Sequence, residues 1–523
     1  MRIPLAQYPG MNRFVLDWMN GDERFLKRWS GGLQPAEQAA GLKAVKRDGG
    51  LKAVTQAAGL KAVTQAGGLK PAAPLAAALE ASNKQWGLFV GDQVEQWARG
   101  ETLTIIAGQQ VGFAGGPLYT LAKLASLVRF KRDMEKNGFP VTAFFWLATE
   151  DHDFDEVATL NVPAGDRQLD LLCIRAVRSA DARHTVGSLP VPEEMITQLL
   201  AHYDMPRPPW LRPGINFRDS FAELIASLFG NEIILVDALL PELRRAGAPL
   251  FDDIERRRDE IQNALRKRAR ELESAGYAEQ VEARDGDEYT LLYELDEHDR
   301  RQTPTANRTP ERTSTSALTR PLLQDFVFRP DVFVGGPAEV AYYAQIGALH
   351  ELLGIPMPRV ALRGHVLVAP KRVVRALERF AIEPNEIFTS ADAILAEREP
   401  EGVAHIRELA EEGKRELMSR IGQIGELALP ADHSLAGSIQ RSVGHLEYHW
   451  NKLADRAIKG LVRKDRERLA SVRDVVSTFY PDRQVQERVV SWFAYWCEHR
   501  DTLVARVIEE VEMDSAYFRI VSL

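Results

Sequence analysis

The 523-residue chain contains only two cysteines, Cys173 and Cys497, with no CxxC motif and no Cys/His zinc spacing. This scarcity argues against a disulfide framework and against a zinc site built from cysteine thiolates. The sequence also lacks an apolar run of membrane-spanning length, and its start, Met1–Pro4, lacks the apolar core of a secretory signal. We therefore expect a cytoplasmic protein with no membrane partner and no cysteine-ligated zinc.

Positive charge is in short supply as well. The chain has 66 Lys and Arg against 74 Asp and Glu, so its net charge is −8 and its isoelectric point is about 5.9. Proteins that bind nucleic acid without sequence specificity normally present a basic face, so we expect no nucleic-acid partner, although a local basic pocket for phosphates is compatible with these numbers. The length and the hydrophobic share of 45% predict a globular protein of two or three domains.

Residues 41–70 form an internal repeat with a period of nine. The sequence Gly-Leu-Lys-Ala-Val starts at Gly41, Gly50 and Gly59, and a shortened copy starts at Gly68. The period fits neither the seven- nor the eleven-residue repeat of a supercoiled helix. A docking motif is one interpretation, but we favour a glycine-punctuated, weakly helical or disordered insert.

Short apolar runs and amphipathic helices alternate from about residue 100. Thr102–Ala107 and Val141–Ala148 are nearly all apolar, as expected of strands buried on both faces. Pro117 occupies the expected first position of a helix, Leu118–Lys136. The alternation predicts an α/β fold with a mainly parallel, doubly wound sheet. Further strands are predicted at residues 232–237, 331–335 and 360–370.

Two segments after residue 385 carry apolar residues at spacings of three and four, as in a coiled-coil seam. A break at Leu429–Asp432 separates them. The pattern predicts an antiparallel helical hairpin, whose seam is typically structural or a dimer contact, so we expect a homodimer formed through the coiled coil. The seam residues are Val403, Ile406, Ala410, Gly413, Leu417, Ile421 and Ile424 in the first helix, and Ile439, Val443, Leu446, Trp450, Leu453 and Ala457 in the second.

These patterns divide the chain into four predicted parts. They are an N-terminal helical segment with the repeat (1–99), the α/β core (100–384, with the polar stretch 281–315 as an insertion), the coiled-coil hairpin (385–480), and a C-terminal helix, about Val485–Glu510, that packs back on the core (481–523).

The first group of candidate functional residues is the glycine-rich segment after the first predicted strand. Glycines allow a ligand to approach the backbone closely, and the start of the helix behind them offers free N–H groups and a positive dipole, which favour phosphate. The segment is neither a Walker P-loop nor a GxGxxG motif, so a tight strand-to-helix turn without a ligand is the alternative. The candidates are Gly108, Gln109, Gln110, Gly116, Pro117, Tyr119, Thr120 and, as an added cation, Lys123.

The second group is acidic and follows the second buried strand. Glu150–Glu156 places five carboxylates and one imidazole in seven residues, which repel one another unless a cation, a basic substrate or a shared proton relieves them. Ligands of an open α/β sheet bind outside the carboxyl ends of the strands, so these groups should face the crevice. A solvated acidic helix start is the alternative, which Asp155 and Glu156 fit best. The catalytic candidates are His152, as an acid or base or a phosphate-orienting group, and Glu150, Asp151 and Asp153.

The third group lies in a second strand–Gly–Pro–helix unit, which would form another wall of the crevice. Arg320 could pair with a carboxylate through two parallel hydrogen bonds, and Glu339 could hold an ammonium group. Arg359 is a weaker candidate, since a surface salt bridge explains it equally well. The remaining candidates are Gln324 and Tyr342.

Three motifs in this order resemble the signatures of the BshC family, the cysteine ligases of bacillithiol biosynthesis. They are GQQVGFAGGPLYTLAK at 108–123, FFWLATEDHDFDEV at 144–157, and TRPLLQDF followed by VGGPAEVAYY and MPRV at 319–360. The resemblance covers about residues 80–523. It implies a Rossmann-like core akin to nucleotidyltransferases and class I aminoacyl-tRNA synthetases, with connecting insertions and a coiled-coil dimerisation domain.

The activity that the resemblance implies is the joining of the cysteine carboxyl group to the amine of glucosaminyl-malate, with ATP as the activating nucleotide. On this chain, Gly108–Thr120 would then hold phosphates or an acyl-adenylate, and Lys123 and His152 would offset developing charge. A carboxylate of the acidic group would deprotonate the attacking ammonium or hold Mg²⁺ with the nucleotide. Malate or the amino acid would be positioned by Arg320, Gln324 and Glu339.

One departure from the family pattern concerns position 122. Some members carry a histidine there, which gives a sequence reminiscent of a synthetase HIGH motif, whereas this chain has Ala122. A mechanism that depends on that histidine does not transfer, and the nine-residue repeat has no family counterpart. Two other functions stay open at this point: a metal-dependent hydrolase or nucleotidyltransferase built on Glu150–Asp153, and a noncatalytic coiled-coil dimer scaffold.

Overall fold

The computed structural model describes residues 2–21, 73–165, 170–177, 182–283, 288–396 and 402–523. The nine-residue repeat at 41–70 lies outside these ranges. The chain divides into two compact units, the first formed by Met1–Ala369 together with Gln484–Leu523, and the second by Pro370–Arg483. Both ends of the chain therefore belong to the first unit.

Strands of the described residues form one five-stranded sheet, two three-stranded sheets and a two-stranded hairpin. In chain order they are β1 Arg2–Pro4, β2 Leu103–Gln109, β3 Val141–Leu147, β4 Thr159–Pro163, β5 Leu171–Arg175, β6 Ile234–Asp237, β7 Leu292–Leu295, β8 Arg301–Gln302, β9 Thr313–Thr315, β10 Val332–Gly335, β11 Arg359–Leu362, β12 His365–Ala369 and β13 Tyr517–Ser522.

The α-helices of the described residues, in chain order, are α1 Arg13–Met19, α2 Ala73–Gln85, α3 Gly91–Ala98, α4 Leu118–Lys136, α5 Phe154–Val157, α6 Glu193–His202, α7 Phe217–Phe229, α8 Pro241–Ala246, α9 Ala248–Arg256, α10 Arg258–Ser274, α11 Arg320–Phe328, α12 Pro337–Leu353, α13 Lys371–Arg379, α14 Ala391–Ala396, α15 Val403–Ala428, α16 Ala436–Phe479, α17 Gln486–Val489 and α18 Trp492–Glu510. No helix among them is long and apolar enough to cross a membrane.

The five-stranded sheet forms the centre of the first unit and is parallel throughout. Its strand order is β11-β10-β2-β3-β6. Every residue of β3, β6, β10 and β11 is buried, because these short and mostly apolar strands are covered on both faces. The predicted α/β fold with a doubly wound parallel sheet is confirmed.

The strand order places a crevice next to the middle strand. From β2 the chain continues to β3 and β6 on one side, whereas β10 and β11 lie on the other. The carboxyl ends of β2 and β10 therefore border the point at which the strand order reverses, where open α/β sheets bind ligands. Glycine-rich turns follow both strands there, with Gly108 near the end of β2 and Gly335 ending β10.

The predicted strand at 360–370 is in fact two strands in different sheets. Strand β11 pairs with β10 in the central sheet, while β12 pairs with β13, which in turn pairs antiparallel with β1. Arg363 and Gly364 form the connection between them. A side chain on Gly364 would collide with Val511 and Glu512, so the close approach of the C-terminal segment requires glycine here.

Helix α4 has the predicted bounds, but Pro117 does not have the position predicted for it. Pro117 is the extended residue before the helix rather than its first residue, because Leu118 N donates to Val490 O over 2.9 Å. The C-terminal segment thus covers the glycine-rich turn. Gly115 has a φ of +87°, and a Cβ there would overlap the Trp492 indole, so this glycine serves close packing.

The polar stretch 281–315, predicted as an insertion outside the core, is only partly so. Strands β7, β8 and β9 from this stretch form a three-stranded antiparallel sheet. All of Thr313–Thr315 is buried, because the hydroxyls of Ser314 and Thr315 donate to a buried carboxylate and that of Thr313 donates to Thr309 O. Composition alone cannot distinguish such a polar strand from a solvated loop.

The second unit contains the predicted antiparallel hairpin, formed by α15 and α16. Trp450 donates from Nε1 to Ala410 O over 2.7 Å, and a Cβ on Gly413 would overlap its ring. Leu446 and Leu453 of the predicted seam are nevertheless 44% and 62% exposed. Two helices bury only a narrow stripe of each other, so the hairpin leaves part of its apolar seam uncovered.

Candidate active site

A cavity of about 950 Å³ lies at the carboxyl ends of β10, β2 and β3. Its size and position are those of a small-molecule site. Residues of all three predicted groups meet there. The predicted residues that line it are Gly108, Gln109, Gln110, Tyr119, Lys123, Glu150, Asp151, His152, Asp153, Arg320, Glu339 and Tyr342.

Tyr119 and Lys123 of helix α4 reach the cavity, but Gly116, Pro117 and Thr120 do not line it, which corrects the binding role predicted for these three residues. Ser491 donates from Oγ to the Gly116 carbonyl over 2.9 Å, and Thr120 is 1% exposed. The helix end that was expected to hold phosphate is therefore occupied by the C-terminal segment of the same unit.

Two further predicted residues point away from the cavity. Gln324 is fully buried, where its amide donates to Asp325 over 3.0 Å and its oxygen accepts from Arg320 over 3.3 Å. Arg359 pairs with Asp514 over 2.6 Å, and their side chains are 7% and 8% exposed. Gln324 thus holds Arg320 by a hydrogen bond from the next turn of the helix. Arg359 belongs to a buried structural ion pair.

Lys123 lines the cavity, but all three donors of its ammonium group are engaged. Its Nζ lies 2.7 Å from Gly108 O, 3.0 Å from Gln109 Oε1 and 2.7 Å from Glu339 Oε2. Burial lowers the pKa of Lys123, and the charge of Glu339 opposes that shift. Lys123 therefore ties the two strand–Gly–Pro–helix units together rather than offering a spare cation to phosphate.

Glu150 is similarly engaged and is 3% exposed. Its carboxylate accepts from Ser314 Oγ at 2.8 Å, from Thr315 N at 3.1 Å and from Thr315 Oγ1 at 2.5 Å. The buried Arg244 Nη2 lies 3.7 Å away. These partners occupy the carboxylate, so Glu150 anchors the acidic loop to β9 and is poorly placed to accept a proton from a substrate.

His152 is held between a cation and an anion. Arg301 Nη1 lies 3.2 Å from His152 Nδ1, and Asp151 Oδ1 lies 3.5 Å from the same nitrogen. Since guanidinium only donates, Nδ1 accepts from Arg301 when unprotonated, whereas a protonated Nδ1 donates to Asp151. Burial would raise the pKa of Asp151, but the bond with His152 and the charge of Arg301 lower it to about 2.

An ion pair and a hydrogen bond relieve part of the repulsion within the acidic group. Asp155 pairs with Arg175 at 2.9 Å, and Asp153 Oδ1 accepts from Glu156 N at the start of α5. Burial, together with the charges of Asp153 and Asp151, raises the pKa of Glu156. Glu156, which fits a solvated helix start by its position in the sequence, lines the cavity instead. The crowding of acids in Glu150–Glu156 is the sequence signal for its raised proton affinity.

Glu156 also contacts the glycine-rich side of the cavity, because Tyr119 donates from its hydroxyl to Glu156 Oε1 over 3.4 Å. Within the described ranges, no group of three or more His, Cys, Asp or Glu side chains is arranged to hold a metal ion.

Three arginines that sequence reasoning missed also line the cavity: Arg301, Arg363 and Arg488. Arg301 is 9% exposed and donates to Ser314 Oγ and Thr315 O. Among the residues that the structure describes, no carboxylate oxygen lies within 4 Å of Arg301, Arg488 or the predicted Arg320. Each of the missed residues reaches the cavity from a distant part of the chain, so local spacing gave no signal.

Comparison with known proteins accounts for most of the chain. Residues 56–305 and 299–364 match the family model for the Bacillithiol biosynthesis BshC N-terminal Rossmann-like domain. Residues 366–523 match the model for the Bacillithiol biosynthesis BshC C-terminal coiled-coil domain. The two models together span both units of the structure.

Full-length relatives agree with the family models. BshC of Koribacter versatilis is 30% identical over 472 residues, which cover 82% of this chain and 87% of the relative. BshC of Solibacter usitatus is 27% identical over 479 residues (86% and 89%), and BshC of Bacillus cereus is 27% identical over 454 residues (78% and 82%). These relatives are named as cysteine ligases. With a Rossmann-like core, a coiled-coil unit and the signature residues gathered around one cavity, the chain belongs to the BshC family of ligases of bacillithiol biosynthesis.

Proposed function

We propose that this enzyme joins the carboxyl group of cysteine to the amine of glucosaminyl-malate to form the amide of bacillithiol. The observation that carries the proposal is the cavity at the carboxyl ends of β10, β2 and β3. It brings the His152–Asp151 pair together with Arg301, Arg320 and Arg488, which have no carboxylate oxygen within 4 Å among the described residues. Arg301 is buried, and a buried cation without an acidic partner is costly, so an anionic substrate would offset that cost.

Unpartnered polar atoms in the cavity wall support a polar ligand. Within the described residues, the Tyr342 hydroxyl and the Trp146 Nε1 are buried and have no hydrogen-bond partner, and both side chains line the cavity. A buried donor left unsatisfied costs about 1 to 3 kcal/mol, so such groups are typically completed by a ligand or ordered water. A substrate with several hydroxyl and carboxylate oxygens supplies suitable acceptors.

Amide formation from a carboxylate requires activation of that carboxylate before the amine attacks. We propose ATP as the activating co-substrate, with either an acyl-adenylate or an acyl-phosphate as the product of activation. Arg301 and Arg320 would stabilise the negative charge that develops, since fixed donors in a dry site are effective at this task. The chain's own residues would hold the amine and the activated carbonyl carbon at reacting distance.

Proton removal from the attacking amine falls to His152 in this proposal. Asp151, whose pKa is lowered to about 2, is too weak a base for this role and instead orients the imidazole. Glu156, whose pKa burial raises, is the second group on this side of the cavity that is suited to proton transfer. Glu339 Oε2 is taken by Lys123 and Gly336 N, which leaves Oε1 to hold a substrate ammonium.

A magnesium ion would be compatible with these residues. Magnesium that arrives with a nucleotide needs only one or two protein carboxylates, because phosphates and water complete its coordination. Asp153 is one of the exposed carboxylates of the acidic group that line the cavity, and it would serve as such a ligand. When bound, the ion would neutralise phosphate charge.

The uncovered seam of the second unit supports a further proposal, a homodimer formed through the coiled coil. Leu446 and Leu453 lie at seam positions on α16, and Ile424, which is 59% exposed, lies on α15. Apolar side chains in register along a helix are the usual contacts between coiled-coil helices.

The direct test of the ligase proposal is product formation by the purified enzyme. With cysteine, glucosaminyl-malate and ATP we expect bacillithiol by mass spectrometry, and we expect His152→Gln to reduce the rate about 100-fold or more. His298→Gln serves as the control, since His298 is 60% exposed and does not line the cavity. Full activity of both His152→Gln and Asp153→Ala would refute the assignment of these groups. A deletion strain should lose the thiol and accumulate the aminosugar conjugate.

A further inference from the structure

The C-terminal segment of the first unit supplies a charged wall of the cavity. Helix α17, which follows the second unit in the chain, carries Glu487 and Arg488 side by side. Arg488 is exposed and lines the cavity, whereas Glu487 is 3% exposed and points into the protein. The two neighbouring side chains therefore point in opposite directions, Arg488 toward the cavity and Glu487 toward the protein interior.

Glu487 forms a bidentate ion pair with Arg363, a second arginine of the cavity wall. Arg363 Nη1 and Nη2 donate to Glu487 Oε2 and Oε1 over 2.9 and 2.8 Å. His365 Nδ1 lies 2.8 Å from Oε1 and, facing a carboxylate that only accepts, must carry the proton. Burial lowers the pKa of His365, and the charge of Glu487 opposes that shift. Fork geometry of this kind fixes the plane of a guanidinium group as well as its position.

Arg363 keeps donors in reserve while it is held. A guanidinium group has five N–H donors, and the bonds to Glu487 and to Gly364 O use three of them. The group lies 5.7 Å from the centre of the Tyr119 ring, on the cavity wall. Glu487 thus fixes the position of Arg363, and these bonds leave two of its N–H groups unused.

Tyr119 is within electrostatic reach of two of these arginines. Burial raises the pKa of Tyr119, and the charges of Arg488 and Arg363 act in the opposite direction. Arg320 acts in the same way on Glu339, which also influences Tyr119. All three arginines line the cavity together with Tyr119 and Glu339.

Two of these three arginines have no direct ion-pair partner among the described residues. Glu487 balances Arg363, and Glu339 balances Lys123, at distances of 2.8 and 2.7 Å. Arg320 and Arg488 have no carboxylate oxygen within 4 Å among the described residues, so neither is neutralised by a direct ion pair. We propose that Arg320, Arg363 and Arg488 form a subsite for a dianionic group, with Glu487 as the positioning residue of Arg363.

This inference rests on the proposed function, because two parts of the proposed substrates are dianions. One is the dicarboxylate end of the aminosugar acid, and the other is a phosphate of the nucleotide. Malate and inorganic phosphate serve as separate probes for these two sources. Their binding to the purified full-length enzyme can be measured by calorimetry without any ligation taking place.

The chain offers a matched control for a buried Arg–carboxylate pair. Arg359 and Asp514 also join the end strand of the central sheet to the C-terminal segment, at 2.6 Å, and their side chains are nearly as buried as those of Arg363 and Glu487. They do not line the cavity. Asp514→Asn therefore measures the structural cost of breaking such a pair, separately from any effect on the ligand.

The test compares malate and phosphate binding across Arg488→Gln, Glu487→Gln and Asp514→Asn. We expect one of the two probes to bind the wild type, and Arg488→Gln and Glu487→Gln to weaken that probe about tenfold or more. Asp514→Asn should lower stability but change the Kd less than about twofold. In ligation, Glu487→Gln should raise the KM of the substrate that carries the dianion while kcat changes little.

The identity of the bound probe assigns the source, malate to the sugar acid and phosphate to the nucleotide. The subsite proposal would be overturned if neither probe binds the wild type. It would also be overturned if Arg488→Gln binds the probe as tightly as the wild type does. Loss of binding in Asp514→Asn equal to that in Glu487→Gln would overturn the positioning role. If binding follows the expected order but no ligation occurs, the subsite stands and the proposed reaction fails.

Discussion

Gln110 donates from Nε2 to Asp151 Oδ2 over 2.7 Å, and this bond joins the glycine-rich turn after β2 to the acidic loop after β3. The two segments are 41 residues apart in the sequence. Their contact exists because β2 and β3 are parallel neighbours whose carboxyl ends lie side by side. Asp151 in turn contacts His152, so the glycine-rich turn helps to set the position of the imidazole.

Gln110→Leu should therefore impair activity more than stability. The variant leaves Asp151 Oδ2 without its donor, which we expect to cost about 1 to 2 kcal/mol in unfolding free energy and about tenfold in kcat/KM. Gln93→Leu is the control, because Gln93 makes a 2.7 Å bond to Asn231 O outside the cavity. Urea unfolding measures the stability of both variants, and steady-state kinetics measures their kcat/KM. Equal kcat/KM for the two variants would contradict the role of Gln110.

Glu150→Gln should destabilise the protein strongly. The substitution keeps the shape of the side chain but removes the charge opposite Arg244 and turns an amide donor toward the hydroxyls of Ser314 and Thr315. Breaking a buried ion pair of this kind costs about 3 kcal/mol or more. Asp155→Asn, at a side chain that is 70% exposed, should change the unfolding free energy by less than about 0.5 kcal/mol. Similar values for the two variants in urea unfolding would be inconsistent with the anchoring role of Glu150.

Asp151 predicts a loss of stability on the acid side. Its pKa is about 2 in the folded protein against an ordinary value of 3.8, so the ionised form is favoured by folding. Its contribution is complete above pH 3.8 and is lost as the pH falls through 2. Asp151→Asn should remove about 1 kcal/mol of the change in unfolding free energy between pH 2 and pH 5. Thermal unfolding over this pH range would measure the difference. An unchanged slope would show that other carboxylates carry the acid sensitivity.

The raised pKa of Asp331 predicts a pH dependence of stability with the opposite sign. Burial raises its pKa from 3.8 to about 6, although its Oδ2 accepts a bond from Thr104 N. Because the neutral form is favoured by folding, the contribution is present below pH 3.8 and is lost as the pH rises through 6. Asp331→Asn keeps the acceptor and should be more stable than the wild type by about 2 kcal/mol at pH 8, but not at pH 4. Equal gains at both pH values would point to packing instead.

The exposed seam of the second unit predicts a self-association that charge can break. Leu446→Glu combined with Leu453→Glu should convert a dimer into a monomer in sedimentation equilibrium, since burying two carboxylates in an apolar contact is unfavourable. Leu427→Glu alters an 83% exposed leucine outside the predicted seam and should leave the dimer intact. A wild type that sediments as a monomer would remove the basis for the homodimer.

Elements with strong local patterns could be predicted from the sequence. Helix α4 has the predicted bounds Leu118–Lys136, and strand β3 differs from its prediction by one residue, because continuous apolar runs and a preceding proline act locally. The glycine-rich and acidic segments were also placed correctly at the same edge of the sheet. Parallel strands that alternate with helices dictate that arrangement.

Residues whose placement depends on distant chain segments could not be predicted. Arg301 comes from a stretch that reads as solvated, and it reaches His152 only because β8 and β9 flank the same strand. Gln324 was chosen for its chemistry and lies one turn from Arg320, yet the packing of α11 turns it inward. Neither burial direction nor long-range pairing is encoded in local spacing.

The cover over the glycine-rich turn has a consequence for synthesis on the ribosome. Helix α17 and strand β13 are translated after the whole second unit, and β13 then joins β12 and the first strand of the chain, β1. Domains generally fold in the order in which they emerge, so the coiled-coil hairpin is available to fold before the cavity acquires Arg488 and the anchor of Arg363. A nascent chain that stalls inside the hairpin would therefore have its sheet strands but lack one wall of its cavity.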